Sequence, residues 1–415
     1  VKGIRAAIVL LATLAPLGVA AEPVVILISW DGVRHDYPDR ARFPALERMA
    51  REGLRAGRLV PVFPSNTFPG HVSLATGTYP DRHGIVDNRF LDRERGIYAM
   101  SDDASFIAAE PLWVAAERQG VRSAAFFWVG SGTDWRGRGA TYRVAPFDSD
   151  VGEAEKVAKI LAWLDLPADE RPRLVLSWWH GADRVGHRMG PDHADVAAAL
   201  AEQDEQLGVL LAGLDARAAW DETTLLLVSD HGMTEVSETV PVEETLAAAG
   251  VESELVLGTA VAHVFLDEPA SLPRAEAALR ALPNVAVYHG DALPSSLRLG
   301  FPSRTGDLVL TTTPPRTFRD VSTAEHLLLA AGGLAGWKPG LHGYDPELPD
   351  MGAIFFAMGR GIPPGARPER VRMIDVAATV AELLGIAPPL QSEGRPIAGL
   401  TLPLAPRQDA LAQPQ

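Results

Sequence analysis

A chain of 415 residues that is 47% hydrophobic and 22% charged can bury a large core, which excludes a disordered or fibrous protein. Its net charge of -15 argues against a broad nucleic-acid-binding face, which would be basic. The lack of cysteine excludes disulfides, thiolate metal sites, cysteine nucleophiles and lipid acylation on cysteine.

Residues 1–21 read as a secretory signal peptide. Lys2 and Arg5 start it, Ile8 to Val19 is a short apolar run, and Val19-Ala20-Ala21 offers a small-residue cleavage site. The run is short for a membrane span of about 20 residues. An exported, periplasmic or secreted protein with no membrane span after cleavage is expected.

Apolar runs then alternate with helix-like stretches. Val24 to Ser29, Ser123 to Val129, Leu174 to Trp178, Thr224 to Ser229 and Ala353 to Met358 suit strands buried on both faces. Phe43 to Glu52, Pro111 to Gln119, Gly152 to Leu164, Asp195 to Leu214 and Ile374 to Leu384 read as helices. The alternation predicts an α/β fold with a doubly wound, mainly parallel sheet and helices on both faces. Residues 22–234 and 341–386 form its core in this reading. Residues 235–340, with strand-like Val261 to Leu266 and Asp307 to Thr311, form a smaller inserted α+β subdomain. Gly332-Gly333-Leu334-Ala335-Gly336 leads back to the main sheet, and 387–415 is a Pro-rich tail.

Asp31, Asp183 and Asp230 each fall just after a predicted strand. Ligands in such sheets bind beyond the carboxyl ends of strands, so the three are expected at one edge. Asp183 and His187 are four apart and share a face on a helical turn. Asp and His together suit zinc and similar metals. Asp230-His231 follows a strand, where the turning chain can aim both side chains at one ion. Each motif alone has a plain reading: a capping Asp, an Asx turn, a lone His342 that is structural or exposed.

Thr67 lies two before Pro69, a favoured first helical residue. It is therefore expected near a helix N-terminus, which favours negative charge. A bare hydroxyl is a poor nucleophile, and a metal would activate it. Read alone, Thr67 is an ordinary N-cap.

Asp31-Gly32, Thr67-Phe68-Pro69 with His71, Gly84-Ile85-Val86-Asp87-Asn88, Asp183 to Gly190-Pro191, Asp230-His231-Gly232-Met233 and His342-Gly343-Tyr344 resemble one family in kind and order. It is the nucleotide pyrophosphatase/phosphodiesterase family of the alkaline phosphatase superfamily, and the resemblance runs from Val24 to Leu384. It implies an alkaline-phosphatase-like fold and two zinc ions, with other divalent metals possible. Asp183, His187 and His342 match the ligands of one ion; Asp31, Asp230 and His231 match those of the other. Thr67 matches the nucleophile, and Asn88 the donor to a phosphoryl oxygen. Phe68 and Trp178 match positions that flank a nucleotide base, although the family often has Tyr where Trp178 stands. The implied reaction is hydrolysis of phosphodiester or pyrophosphate bonds of nucleotides or related small diesters through a phosphothreonine, with retention at phosphorus. The expected partner is a small substrate, with no stable nucleic-acid complex; oligomeric state is open, a monomer being favoured.

Three rival functions compete with this one. A phosphomonoesterase would want extra cationic side chains, for which Arg136 and Arg138 are the first choice. A sulfatase needs a Cys- or Ser-derived aldehyde, and Thr67 stands there. A metal-dependent binding protein without catalysis would lack a required residue, and none is missing. His71 is read as packing behind the site, and Gly130-Ser131-Gly132-Thr133 as a loop, because it lacks the lysine of a phosphate-binding loop. His35, His83, His180, His193, His263, His289 and His326 have no evident metal partner.

Overall fold

The computed structural model describes residues 22–319 and 338–400. The expected signal peptide, the glycine-rich return at 332–336 and residues 401–415 lie outside them.

In chain order the first elements are β1 (Val24–Trp30), α1 (Pro44–Glu52), β2 (Leu54–Arg55), α2 (Thr67–Thr76), α3 (Leu112–Arg118), β3 (Ser123–Phe126) and β4 (Tyr142–Val144). Next come α4 (Glu153–Leu164), β5 (Leu174–Trp179), α5 (Gly181–Met189), α6 (Ala194–Ala216) and β6 (Thr223–Val228). Then follow α7 (Val242–Ala248), β7 (Ser253–Leu257), β8 (Val261–Leu266), α8 (Leu272–Arg280), β9 (Val285–His289) and β10 (Leu308–Thr312). The last two are β11 (Phe355–Gly359) and α9 (Asp375–Leu384).

The main sheet has seven strands in the order β2-β11-β6-β1-β5-β3-β4. Only β11 breaks the parallel arrangement, running against both β6 and β2. Every residue of β1, β5 and β6 is buried, as their unbroken apolar runs require of central strands covered on both faces. These three are adjacent, with Ile28 of β1 paired to Ser177 and to Leu227. Asp31, Asp183 and Asp230 therefore leave neighbouring strands at the same edge.

The run expected as a strand over Ser123 to Val129 ends at Phe126. Phe127 takes a left-handed backbone (φ 59), and the chain turns out of the sheet.

A second, antiparallel sheet, β7-β8-β10-β9, carries α7 and α8. It has its own core of Val242, Leu246, Val264, Leu308, Leu310 and Phe318. The segment holding it leaves and re-enters through a short antiparallel pairing of Thr234 with Leu341 and Glu235 with Gly340. A buried ion pair between Arg304 and Asp92 (2.9 Å) fastens it to the rest of the molecule. Arg304 also donates to the Phe106 carbonyl.

The start of the expected tail is docked rather than trailing. Ile397 and Leu400 are buried in the main core. Gln391 Oε1 accepts from the Glu110 amide, and the Glu393 amide donates to the Gly77 carbonyl. Apolar anchors spaced along a polar, Pro-rich stretch leave no periodic signal.

Two buried histidines outside the site shape the acid response. Burial pulls His263 down to about 4 and His83 to about 3. His263 Nδ1 accepts from the Gly306 amide, and His83 Nδ1 from the Ile85 amide, so both are held neutral. The unfolded chain binds these protons near pH 6.5 and the folded chain does not. Their stabilisation is thus complete above about pH 6.5 and is lost as pH falls towards their folded values. Each contributes a slope of about 1.4 kcal/mol per pH unit in that window. In urea titrations between pH 6 and 4.5, His263→Gln should flatten the stability profile by about that slope. An unchanged slope would show that His263 does not carry this term.

Candidate active site

The site gathers at the carboxyl edge of β6, β1 and β5. Asp31 is the residue after β1, and its amide donates to the Trp179 carbonyl (2.8 Å). Gly32 follows with φ 67, and its amide donates to Asp230 Oδ1 (3.1 Å). A Cβ on Gly32 would lie 2.7 Å from Asp183 Oδ1, so the close approach of these two segments requires glycine. Asp183 and His187 lie one turn apart on α5, with His187 Nε2 3.3 Å from Asp183 Oδ2. Asp230 and His231 follow β6 and are wholly buried. His342 follows the short strand at Gly340–Leu341; its Nε2 lies 3.2 Å from His187 Nε2, and its ring stacks on His231 at 3.5 Å.

The three imidazoles are anchored alike. His187 Nδ1 donates to the Gly340 carbonyl (2.9 Å), His231 Nδ1 to the Gly232 carbonyl (2.8 Å) and His342 Nδ1 to the Ser65 carbonyl (3.0 Å). Carbonyls only accept, so each ring carries its proton on Nδ1 and turns Nε2 inward. Such anchoring fixes the tautomer that a metal ligand needs.

Asp31 Oδ1, Asp183 Oδ1 and Asp230 Oδ2 are buried without a hydrogen-bond partner. Burial, then Asp230 and Asp183, raises the Asp31 carboxyl well above its ordinary range. Burial opposes charge on His231, but Asp230 and Asp31 outweigh it and push the imidazole up to about 10. Burial, with His231 and His187 close by, drives His342 down. Crowded carboxylates, unpartnered oxygens and imidazole Nε2 atoms turned inward are what divalent cations would satisfy, so the donor set fits metal.

Ligand atoms of Asp183, His187 and His342 lie within 4.8 Å of one another, and so do those of Asp31, Asp183 and His231. Asp183 thus stands between the two groups. Asp230 joins the second from the side, its Oδ2 3.4 Å from His231 Nε2.

Thr67 is the first residue of α2, after Asn66 in extended conformation. Its Oγ1 is 3.2 Å from His231 Nε2. The next amide, Phe68 N–H, donates to Asn88 Oδ1 (2.8 Å), which leaves the Asn88 amide nitrogen for another acceptor. Asp87 holds both neighbours, accepting from Asn66 Nδ2 and the Asn88 amide at 2.6 Å each. His71 packs behind the site: its Nδ1 donates to the Thr67 carbonyl (2.8 Å) and lies 3.4 Å from Asp230 Oδ2.

A cavity of about 910 Å³ opens over Asp31, Thr67, Asn88, Asp183, His187 and His342. Phe68 and Trp178 also line it. Arg136 and Arg138 do not; Arg136 lies over the Trp135 ring instead.

Residues 25–345 match the family model described as type I phosphodiesterase / nucleotide pyrophosphatase. A Schizosaccharomyces pombe protein described as an uncharacterized pyrophosphatase/phosphodiesterase is 33% identical over 361 residues, which cover 81% of this chain and 71% of that one. The chain belongs to this family. Its fold matches that of murine ectonucleotide pyrophosphatase/phosphodiesterase 5, with a TM-score of 0.80 and 26% identity over 88% of this chain and 96% of the murine one. A second murine structure, an inactive threonine-to-alanine variant in complex with AMP, matches with a TM-score of 0.79 and 25% identity over the same shares of the two chains. The protein is accordingly an α/β nucleotide pyrophosphatase/phosphodiesterase.

Some parts of this phosphodiesterase site have no sequence signal. Phe147 is 36% exposed, lines the cavity and stacks on Trp178 at 4.6 Å. Trp178 is only 7% exposed, and its Nε1 donates to Asp31 Oδ2 (3.1 Å). The aromatic face open to a ligand there is Phe147, while the Trp178 indole orients a carboxylate. Arg184 and Arg188, one turn apart on α5, also line the cavity. No helix among the described residues is long and apolar enough to cross a membrane.

Proposed function

We propose that the protein hydrolyses phosphodiester or pyrophosphate bonds of nucleotides or related small diesters through a phosphothreonine on Thr67. One observation carries this reading: the Thr67 hydroxyl lies 3.2 Å from His231 Nε2, at a helix N-terminus, inside a cluster of carboxylates and imidazoles. Asp183, His187 and His342 would hold one zinc ion, and Asp31, Asp230 and His231 a second. Bound there, the pair supplies positive charge that lowers the threonine hydroxyl pKa and offsets charge on the phosphoryl group.

Thr67 Oγ1 gives up its proton to solvent and attacks phosphorus in line, and the P–O bond on the opposite side breaks, the leaving alkoxide or phosphate taking up a proton from water. Asn88 donates from its amide nitrogen to a phosphoryl oxygen, held in that sense by the Phe68 amide on its other atom. The open N-terminus of α2 favours the negative charge gathering there. Water then hydrolyses the phosphothreonine and restores the hydroxyl, so two inversions retain configuration. Phe68 and Trp178, with Phe147 added, form the aromatic side of the cavity. Export directed by residues 1–21 belongs to the same proposal.

Arg184 and Arg188 keep one rival alive, because a dianionic monoester favours extra cations. With a matched pair of 4-nitrophenyl esters, kcat/KM should favour the diester at least tenfold. Acid quenching during turnover should leave a phosphorylated Thr67 peptide visible by mass spectrometry. A strong preference for the monoester would replace this reading with that of a phosphomonoesterase.

A further inference from the structure

Lysine occurs only at positions 2, 156, 159 and 338. Lys156, on α4, has a side chain wholly shielded from solvent. A buried ammonium is costly unless it donates to a partner. Burial lowers it to about 8, so it keeps its proton at neutral pH. Its Nζ lies 3.3 Å from His180 Nδ1 and 3.8 Å from Glu153 Oε1. An ammonium has donors only, so His180 Nδ1 accepts and the ring proton sits on Nε2. The same ring is held by the Ser149 main chain.

His180 and Ser149 both line the 910 Å³ cavity, and neither belongs to the chemistry above. The His180 ring meets Phe147 edge-on at 5.5 Å and 84°. Phe147 in turn covers Trp178, whose N–H holds Asp31. A continuous set of contacts therefore runs from a buried lysine, through an imidazole, to the exposed aromatic wall. The loop that carries Phe147 has exposed residues at Asp148, Ser149 and Asp150, and the Phe147 ring is held from a second side by Phe127, edge-on at 5.3 Å.

We propose that Lys156 and His180 are a positioning pair that fixes Phe147 as the wall for an aromatic ring of the substrate, Lys156 acting from out of the substrate's reach. The proposal rests on the reading above that this cavity takes the substrate. It predicts substrates with a nucleobase or similar flat ring on one side of phosphorus.

The test compares thymidine 5′-(4-nitrophenyl phosphate) with methyl 4-nitrophenyl phosphate, which share a leaving group and differ only in the ring-bearing side. In Lys156→Met, KM for the thymidine ester should rise about tenfold with kcat within twofold. The methyl ester should keep its kcat/KM within twofold. His180→Ala and Phe147→Ala should reproduce the rise in KM. His180→Gln, which can still accept from Lys156, should recover part of it. An unchanged KM for the thymidine ester in Lys156→Met, or an equal loss on both esters, overturns the proposal. If Lys156→Met does not fold, the two cavity-side variants decide, and no rise in KM in either overturns it. If the wild-type protein hydrolyses neither ester, the functional reading itself falls and the pair falls with it. Turnover of the methyl ester separates the two failures.

Discussion

Thr67→Ala should lower kcat on a nucleotide diester with a good leaving group by about 10⁴- to 10⁶-fold, the range seen when one member of a catalytic triad is removed. The substitution should leave the fold intact. Thr67 is almost fully buried, but its hydroxyl contributes one contact, to His231 Nε2. The start of α2 is secured independently, by the Gly70 amide donating to the Asn66 carbonyl and the Phe68 amide donating to Asn88. Metal content, measured on the same sample, should stay at the wild-type level. Thr67→Ser should keep a measurable fraction of turnover, because it retains an oxygen at the same place. A loss below about a hundredfold, with metal retained, would mean that water attacks directly and that no phosphothreonine forms.

Stripping divalent metal with a chelator should abolish activity and lower the melting temperature, and zinc should restore both. Asp31 Oδ1, Asp183 Oδ1 and Asp230 Oδ2 have no hydrogen-bond partner, and two imidazole nitrogens face each other at 3.2 Å, so the cluster would lose its balancing charge with the metal. A ligand present at about a thousand times its Kd stabilises the state that binds it by about 4 kcal/mol. For a chain of this size that corresponds to a melting shift of about 5 °C. Manganese should substitute in part, since Asp/His donor sets do not exclude it. A chelated protein with full activity and an unchanged melting temperature would rule out a metal role for these residues.

Much of the architecture could be read from residue pattern. Unbroken apolar runs marked β1, β5 and β6, because strands covered on both faces have no polar alternation. The aspartates just beyond them followed from the strand ends, and the four-residue spacing of Asp183 and His187 from one turn of α5. What stayed hidden depends on tertiary placement. The anchors that turn each imidazole inward are the main-chain carbonyls of Ser65, Gly232 and Gly340, and a carbonyl has no sequence signature. Phe147 sits in an irregular loop, and only its tertiary contacts with Trp178 and His180 show that it belongs to the cavity. Lys156 looks like one more polar residue on α4, and His180 like one more unpartnered histidine, until the fold brings them together. The sharing of Asp183 by both ligand groups comes from how β1, β6 and α5 meet, which spacing along the chain does not encode.

The paired strands at Thr234–Glu235 and Gly340–Leu341 lie between His231 and His342 in the chain. What is strung between them starts and finishes at one point, and its own residues Val236, Ser237, Glu238, Thr239 and Thr317 line the cavity over Thr67. The excursion therefore roofs the same chamber whose floor does the chemistry, so a change in it alters what can enter while Thr67 and the clustered aspartates and histidines keep their places at the edge of the main sheet.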